Sequence, residues 1–104
     1  MLSIHTKNKD LSYIVKLLGV LDISTVDKLD AYIKTLDSVA TLIIDFSELE
    51  FIDSTGIGAI LRVIYRSQDE DFSVELEGLQ ENIREIFEMV GVMKVLEAMQ
   101  KWGK

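Results

Sequence analysis

Between residues 41 and 76 the hydrophobic pattern changes period twice, and few architectures satisfy both changes. Thr41 to Phe46 contains Leu42-Ile43-Ile44 without alternation, the pattern of a strand covered on both faces of an α/β sheet. From Thr55 to Glu70, Ile57, Ile60, Leu61 and Ile64 make an apolar stripe opposite Arg62, Arg66 and Asp69, which is the helical period. Phe72, Val74 and Leu76 then alternate with Ser73, Glu75 and Glu77, giving a strand with one wet face. Strand, helix and strand in succession imply a sheet with helices packed against it.

The flanking residues extend this order. Leu2 to Thr6 and Leu11 to Leu18 read as strands around the polar turn Lys7-Asn8-Lys9-Asp10, an opening hairpin in which Tyr13, Val15 and Leu17 share one face. Gly19 to Ile23 reads as a loop, and Ser24-Thr25-Val26-Asp27 has the form of a capping box with Asp in the place of Glu or Gln. The helix that follows carries Val26, Leu29, Ile33 and Leu36 and ends near Asp37 or Ser38. Helical spacing returns in Ile83, Ile86, Phe87 and Val90, breaks at Gly91, and resumes in Val92, Val95, Leu96 and Met99. The expectation is one α/β domain over residues 1–104, a mixed sheet of four to five strands with about four helices. There is no proline and no repeat to mark an internal boundary.

Composition excludes several classes of function. The formal charge of −7 repels phosphate backbones and anionic headgroups, and no basic patch offsets it, so neither a nucleic acid nor a membrane surface is expected as a partner. No apolar run approaches the roughly 20 residues that cross a bilayer, and the first residues lack the basic start and apolar block of a secretory signal, so a cytoplasmic location is expected. With no cysteine and one histidine, His5, thiol chemistry is excluded and a zinc site or histidine relay is hard to assemble. No metal and no cofactor is expected.

The stretch Phe51-Ile52-Asp53-Ser54-Thr55-Gly56-Ile57-Gly58 concentrates the chemistry. Asp45 at the end of the central strand and Ser54 at the start of the next helix both fall at the carboxyl edge of the sheet, where α/β folds place their sites. In the plainest reading Ser54 is a helix N-cap, worth about 1 kcal/mol. Against it, Ile57 stands where a capping box would carry Glu or Gln. Gly56 and Gly58 each cost about 1 kcal/mol against alanine. Either another backbone packs against this turn or a partner approaches where a Cβ would collide. Ile57 between the glycines is then an outward apolar contact or a core residue. Free N–H groups and the helix dipole favour negative charge at Ser54, so a phosphate there is compatible with the fold. The same phosphate brings about −1.5 to −2 charges beside Asp53 and toward Asp22. In a dry interface such a charge goes uncompensated and costs a hundredfold or more in affinity.

Enzyme readings lack parts. Ser54 has no neighbouring base and no G-x-S-x-G context, and D-S-T-G-I-G lacks the G-K-[ST] ending of a phosphate-binding loop. Asp22, Asp45 and Asp53 are an acidic set of the kind that holds metal and accepts phosphate in response-regulator receivers, but three aspartates also serve as caps and turns. The opening hairpin and the missing strand-end lysine speak against a receiver.

Nearly the whole chain resembles a STAS domain of the bacterial anti-sigma-factor antagonist branch. Gly19-Val20-Leu21-Asp22 is similar to that family's G-x-L-D, Ile44 to Ser47 to its central strand end, Phe51 to Gly58 to its F-x-D-S-[ST]-G-[LIV]-G signature, and Ile83 to Val92 to its later helix. The resemblance implies Ser54 as phosphoacceptor, Asp22 and Asp53 as acidic neighbours, and Thr55, Gly56, Ile57 and Gly58 as part of the surface shown to a kinase; the neighbouring hydroxyl of Thr55 is the fallback acceptor. It implies as partners an anti-sigma factor that is also a serine kinase of the GHKL type, and a PP2C-like phosphatase. The unphosphorylated antagonist would bind the kinase and free a sigma factor, phosphorylation of Ser54 would end binding, and the protein itself would catalyse nothing. The competing expectation within the family is a non-switching scaffold subunit of a stress-sensing or lipid-transport ATPase complex. Val20 stands where many members are acidic or polar, and the link between Glu70 and Phe72 lacks the glycines often found there.

Overall fold

Asp10 adopts a left-handed backbone (φ 56°), and this turns the chain tightly enough for Lys9 to pair with Ser12. The strands it joins, β1 (Leu2–Lys9) and β2 (Ser12–Leu21), are longer than their apolar residues suggest. Lys7 and Asn8, expected in the turn, pair instead with Ile14 and Tyr13. As β1 lies at the sheet edge, lysines cost it little there and guard the open backbone. The computed structural model describes residues 1–89, 91, 92, 94, 95 and 98. After β2 come α1 (Val26–Lys34), β3 (Thr41–Ile52), α2 (Ser54–Glu70), β4 (Ser73–Glu77) and α3 (Glu81–Met89). The sheet has four strands in the order β1-β2-β3-β4. It is mixed: the hairpin is antiparallel, whereas β2–β3 and β3–β4 are parallel. The expected last helix, on Val92, Val95, Leu96 and Met99, falls largely outside the described residues, although Val92 is buried and, like Val95, helical.

All the described helices feed one core. Val15 and Leu17 of β2, Leu42, Ile44 and Phe46 of β3 and Val74 of β4 are buried together with Leu29 and Ile33 of α1, Ile60 and Ile64 of α2 and Ile83 and Phe87 of α3. Phe46 meets Phe87 edge to face with ring centroids 5.5 Å apart, a geometry the ring quadrupoles favour. The other side of the sheet is uncovered among the described residues. Ile14 is 39% exposed and Ile43 half-buried. The expectation that Leu42-Ile43-Ile44 is covered on both faces is therefore corrected: the run is unbroken because an isoleucine also stands on the open face.

β3 also runs on past Phe46, where it was expected to end. Its partners jump from Lys16↔Asp45 to Leu18↔Glu48, and again from Gly19↔Leu49 to Val20↔Phe51, two bulges that each add a residue to β3. Each bulge resets which face a side chain takes. Buried positions accordingly run Leu42, Ile44, Phe46 and then Leu49, Ile52, and a search for strict alternation stops where the spacing lengthens. Gln80 donates through Nε2 to the carbonyls of Ser47 (2.9 Å) and Leu49 (3.2 Å), pinning the irregular segment from outside. The extension carries the chain directly to Asp53.

At α1 the expected capping box does not form. Thr25 precedes the helix without a side-chain cap bond, because its hydroxyl donates to Val20 O at 2.9 Å and the Ser24 hydroxyl donates to Asp22 Oδ1 at 2.6 Å. The two hydroxyls stitch the β2–α1 loop instead. The helix ends at Lys34, and Ser38 turns left-handed (φ 55°). Leu36 packs from beyond the helix end.

Candidate functional site

Residue 53 divides the roles at the start of α2. Asp53, in extended conformation, is the N-cap, accepting the Gly56 N–H on Oδ1 at 2.8 Å. Its Oδ2 accepts the Ile23 N–H at 3.3 Å, and its own N–H donates to Leu21 O at 3.3 Å. One carboxylate thus caps a helix and fastens the β2–α1 loop. The plain reading of Ser54 as the cap is overturned. Ser54 is the first residue of the helix and is exposed, and among the described residues nothing hydrogen-bonds its hydroxyl. Thr55 beside it is half-buried.

The two glycines answer to different neighbours. A Cβ on Gly56 would overlap the carbonyl oxygen of Leu21 and stand 2.8 Å from Ile52 Cγ1, so this glycine lets the helix seat against the ends of β2 and β3. Of its two readings, backbone packing is the one observed. A Cβ on Gly58 would meet only the tip of Arg62, at 3.7 Å. Internal packing does not require glycine there. Ile57, left open between core and outward contact, is 7% exposed and belongs to the core. It offers a partner no side chain.

Asp22 reaches the same junction from the other strand. Its Oδ1 accepts from the Ser24 N–H at 3.0 Å and from the Ser24 hydroxyl, and its carbonyl accepts the Thr25 and Val26 N–H groups at 3.0 and 2.9 Å. The Ser24 hydroxyl holds the Asp22 carboxyl below its ordinary range against the opposing effect of burial, with the Ser24 N–H and Thr25 adding to the lowering. Asp45 does not join them. It lies within β3 opposite Lys16 and Glu77, with Oδ1 accepting the Ser47 N–H at 2.8 Å, so the expected placement at the strand end is corrected. Among the described residues no three His, Cys, Asp or Glu side chains converge on a metal-sized site. His5 sits on the edge strand opposite Lys16.

Two residues around Ser54 escaped the reading by motif. Ile23 is 75% exposed on the loop held by Asp53, and Phe51, two positions before that aspartate, is 53% exposed. An isoleucine inside an otherwise polar loop was the available signal for the first. For the second, the neighbouring burial of Ile52 on the opposite side of the strand was needed. Both are large apolar side chains left exposed, whereas Ile57 is buried.

A scan against family models matches the STAS domain over residues 3–101. The chain belongs to the STAS domain family. Within that family its similarity runs to anti-sigma-factor antagonists. The anti-sigma-B factor antagonist of Staphylococcus aureus is 26% identical over 97 residues, covering 91% of this chain and 90% of the relative. Among solved structures, an anti-sigma factor antagonist from Mycobacterium paratuberculosis superposes with a TM-score of 0.76 at 22% identity, over 96% of this chain and 95% of that one. The Bacillus cell-fate determinant SpoIIAA superposes at 24% identity in both its forms. The TM-score is 0.71 unphosphorylated (83% of this chain, 82% of that one) and 0.73 phosphorylated (88% and 86%). This STAS domain therefore shares its fold with proteins observed with and without phosphate.

Proposed function

We propose that this STAS domain is an anti-sigma-factor antagonist switched by phosphorylation of Ser54. The unphosphorylated form binds an anti-sigma factor that is also a serine kinase of the GHKL type, and so releases a sigma factor. Transfer of phosphate to Ser54 ends the binding, a PP2C-like phosphatase restores it, and the chain itself catalyses nothing. The observation that carries the reading is the division of labour at the helix start: Asp53 holds the turn, so the exposed Ser54 hydroxyl can be modified without dismantling it. Support also comes from the similar fit of this fold to SpoIIAA with and without phosphate.

The physical switch is desolvation. In the free protein, water surrounds a phosphate at Ser54, and the helix N-terminus offsets it by about 0.3–1 kcal/mol. In a complex that covers Ile23, Phe51 and the bare backbone at Gly58, the same group is stripped of water beside the Asp53 carboxylate. Like unit charges ~4 Å apart repel by about 4 kcal/mol at an effective dielectric of ~20. Binding is lost while the fold remains.

The test is capture of partners from native extract with and without ATP, using the wild type, Ser54→Ala and Ser54→Asp. Wild type should capture a small ATPase in an ATP-sensitive manner, and Ser54→Ala should capture it whether or not ATP is present. Ser54→Asp should lose at least tenfold in affinity at an unchanged melting temperature. Phosphopeptide mapping should place the phosphate on Ser54 rather than Thr55. Equal capture by both variants removes the switch.

A further inference from the structure

The uncovered side of the sheet carries an ordered charge pattern. Across the strands, the paired residues on this side form the rows Lys7–Ile14–Ile43–Glu75 and His5–Lys16–Asp45–Glu77. Each row runs from basic or neutral-basic at β1 to acidic at β4 and reverses sign at the boundary between β2 and β3. The first has two isoleucines at its centre. The second has Lys16 beside Asp45, with Lys16 also paired to Glu48 at 2.6 Å. Lys7, Glu75 and Glu77 are exposed, and among the described residues none of them has an ion-pair partner. His5, Lys7, Ile14, Lys16, Asp45 and Glu77 border a shallow depression of about 410 Å³.

A row that changes sign about its midpoint complements itself under one operation. Two such sheets facing each other about a two-fold axis parallel to the strands place β1 of one copy over β4 of the other. Lys7 then faces Glu75, His5 faces Glu77, Lys16 faces Asp45 and Ile14 faces Ile43, each contact occurring twice, as an isologous interface requires. An axis across the strands would instead put lysine on lysine and glutamate on glutamate. We propose that the open sheet face is a self-association surface on which two copies of this chain pair about an axis parallel to their strands. The charge of −7 per copy opposes approach at long range, but a screening length of about 8 Å at physiological salt removes most of that repulsion while the facing pairs meet at contact. With strands about 4.8 Å apart and rows about 7 Å apart, the face measures only some ~300 Å² in outline. That is well below the ~800 Å² per partner of a standard interface, so the dimer is a weak one.

Sedimentation velocity from roughly 10 µM to 1 mM, with a dilution series followed by amide chemical shifts, tests the pairing. The wild type should sediment faster as concentration rises, with shifts confined to the open-face residues of β1 to β4. Lys7→Glu and Glu75→Lys should each weaken self-association about tenfold, and an equimolar mixture of the two should recover it, because their heterodimer restores both facing pairs. Ile14→Asp should abolish it, and Ser54→Asp should leave it unchanged, so failure here is separable from failure of the phosphorylation switch. A wild type that stays monomeric to 1 mM assigns the face to some other partner and overturns the proposal. So do single charge reversals that associate like the wild type, and shifts that map to the helices.

Discussion

The turn from Asp53 to Gly58 has an inward side and an outward side, and the two obey different rules. Asp53, Gly56 and Ile57 face the molecule: a cap bond of 2.8 Å, a backbone contact at Leu21 and a place in the core. Ser54 and Gly58 face outward, the one exposed and unheld, the other beside only the tip of Arg62. One short motif therefore holds residues fixed by the fold beside residues the fold leaves free. A chemical change on the outer side can leave intact the cap bond that keeps the turn in shape.

Substitutions on the two sides should separate accordingly. The largest effect belongs to Ile57→Ala, which removes buried methyl groups from the core and should cost about 2–5 kcal/mol by chemical denaturation. Gly56→Ala comes next. Its methyl would press on the Leu21 carbonyl, part of a rigid strand end, and should cost about 1–3 kcal/mol, seen as a melting point lower by roughly 4–8 °C for each kcal/mol. A Gly56→Ala protein as stable as the wild type would dissolve the inward–outward distinction. Gly58→Ala should go the other way, raising stability by up to about 1 kcal/mol, since alanine is the better helix former and space is open. It should weaken capture of the proposed kinase partner in the same preparation; capture at full strength would show that no partner presses on that backbone.

The smallest effect concerns the loop that braces the turn. Asp22 is held below its ordinary carboxyl value mainly by the Ser24 hydroxyl. A depressed folded value means that its contribution to stability is present above the ordinary carboxylate range and fades as pH falls through the folded value. The Ser24 amide resonance should therefore titrate below the usual aspartate midpoint, with little change in global stability because the group is solvent-accessible. Titration at the ordinary value would show the Asp22–Ser24 bond to be unoccupied in solution.

The long periodic elements were readable because their side chains face one uniform environment. Ile60 and Ile64 lie buried in α2, and Val15 and Leu17 share the core face of β2, as their spacing implied. Reading faltered where an element meets its neighbours. The end of β3 was missed because two bulges shift its faces, and strict alternation has no means of anticipating a residue inserted against a partner strand. The capping roles were misassigned because Ser24, Thr25 and Asp53 each had several reachable bonds. The choice between them depends on Val20, Asp22 and Ile23 across the loop, a competition that local sequence does not decide.

By itself, the sequence determined an α/β chain with an opening hairpin and placed a signature helix start at residue 54, since those features follow from hydrophobic period and from an ordered local motif. Only the tertiary structure decided which glycine serves packing, which aspartate caps, that Ile57 is core and Phe51 and Ile23 are not, and that among the described residues one face of the sheet is uncovered. The reason is distance along the chain. Each of these depends on atoms contributed by a separate strand or loop, and a carbonyl such as that of Leu21 constrains Gly56 only once β2 and α2 have been brought together.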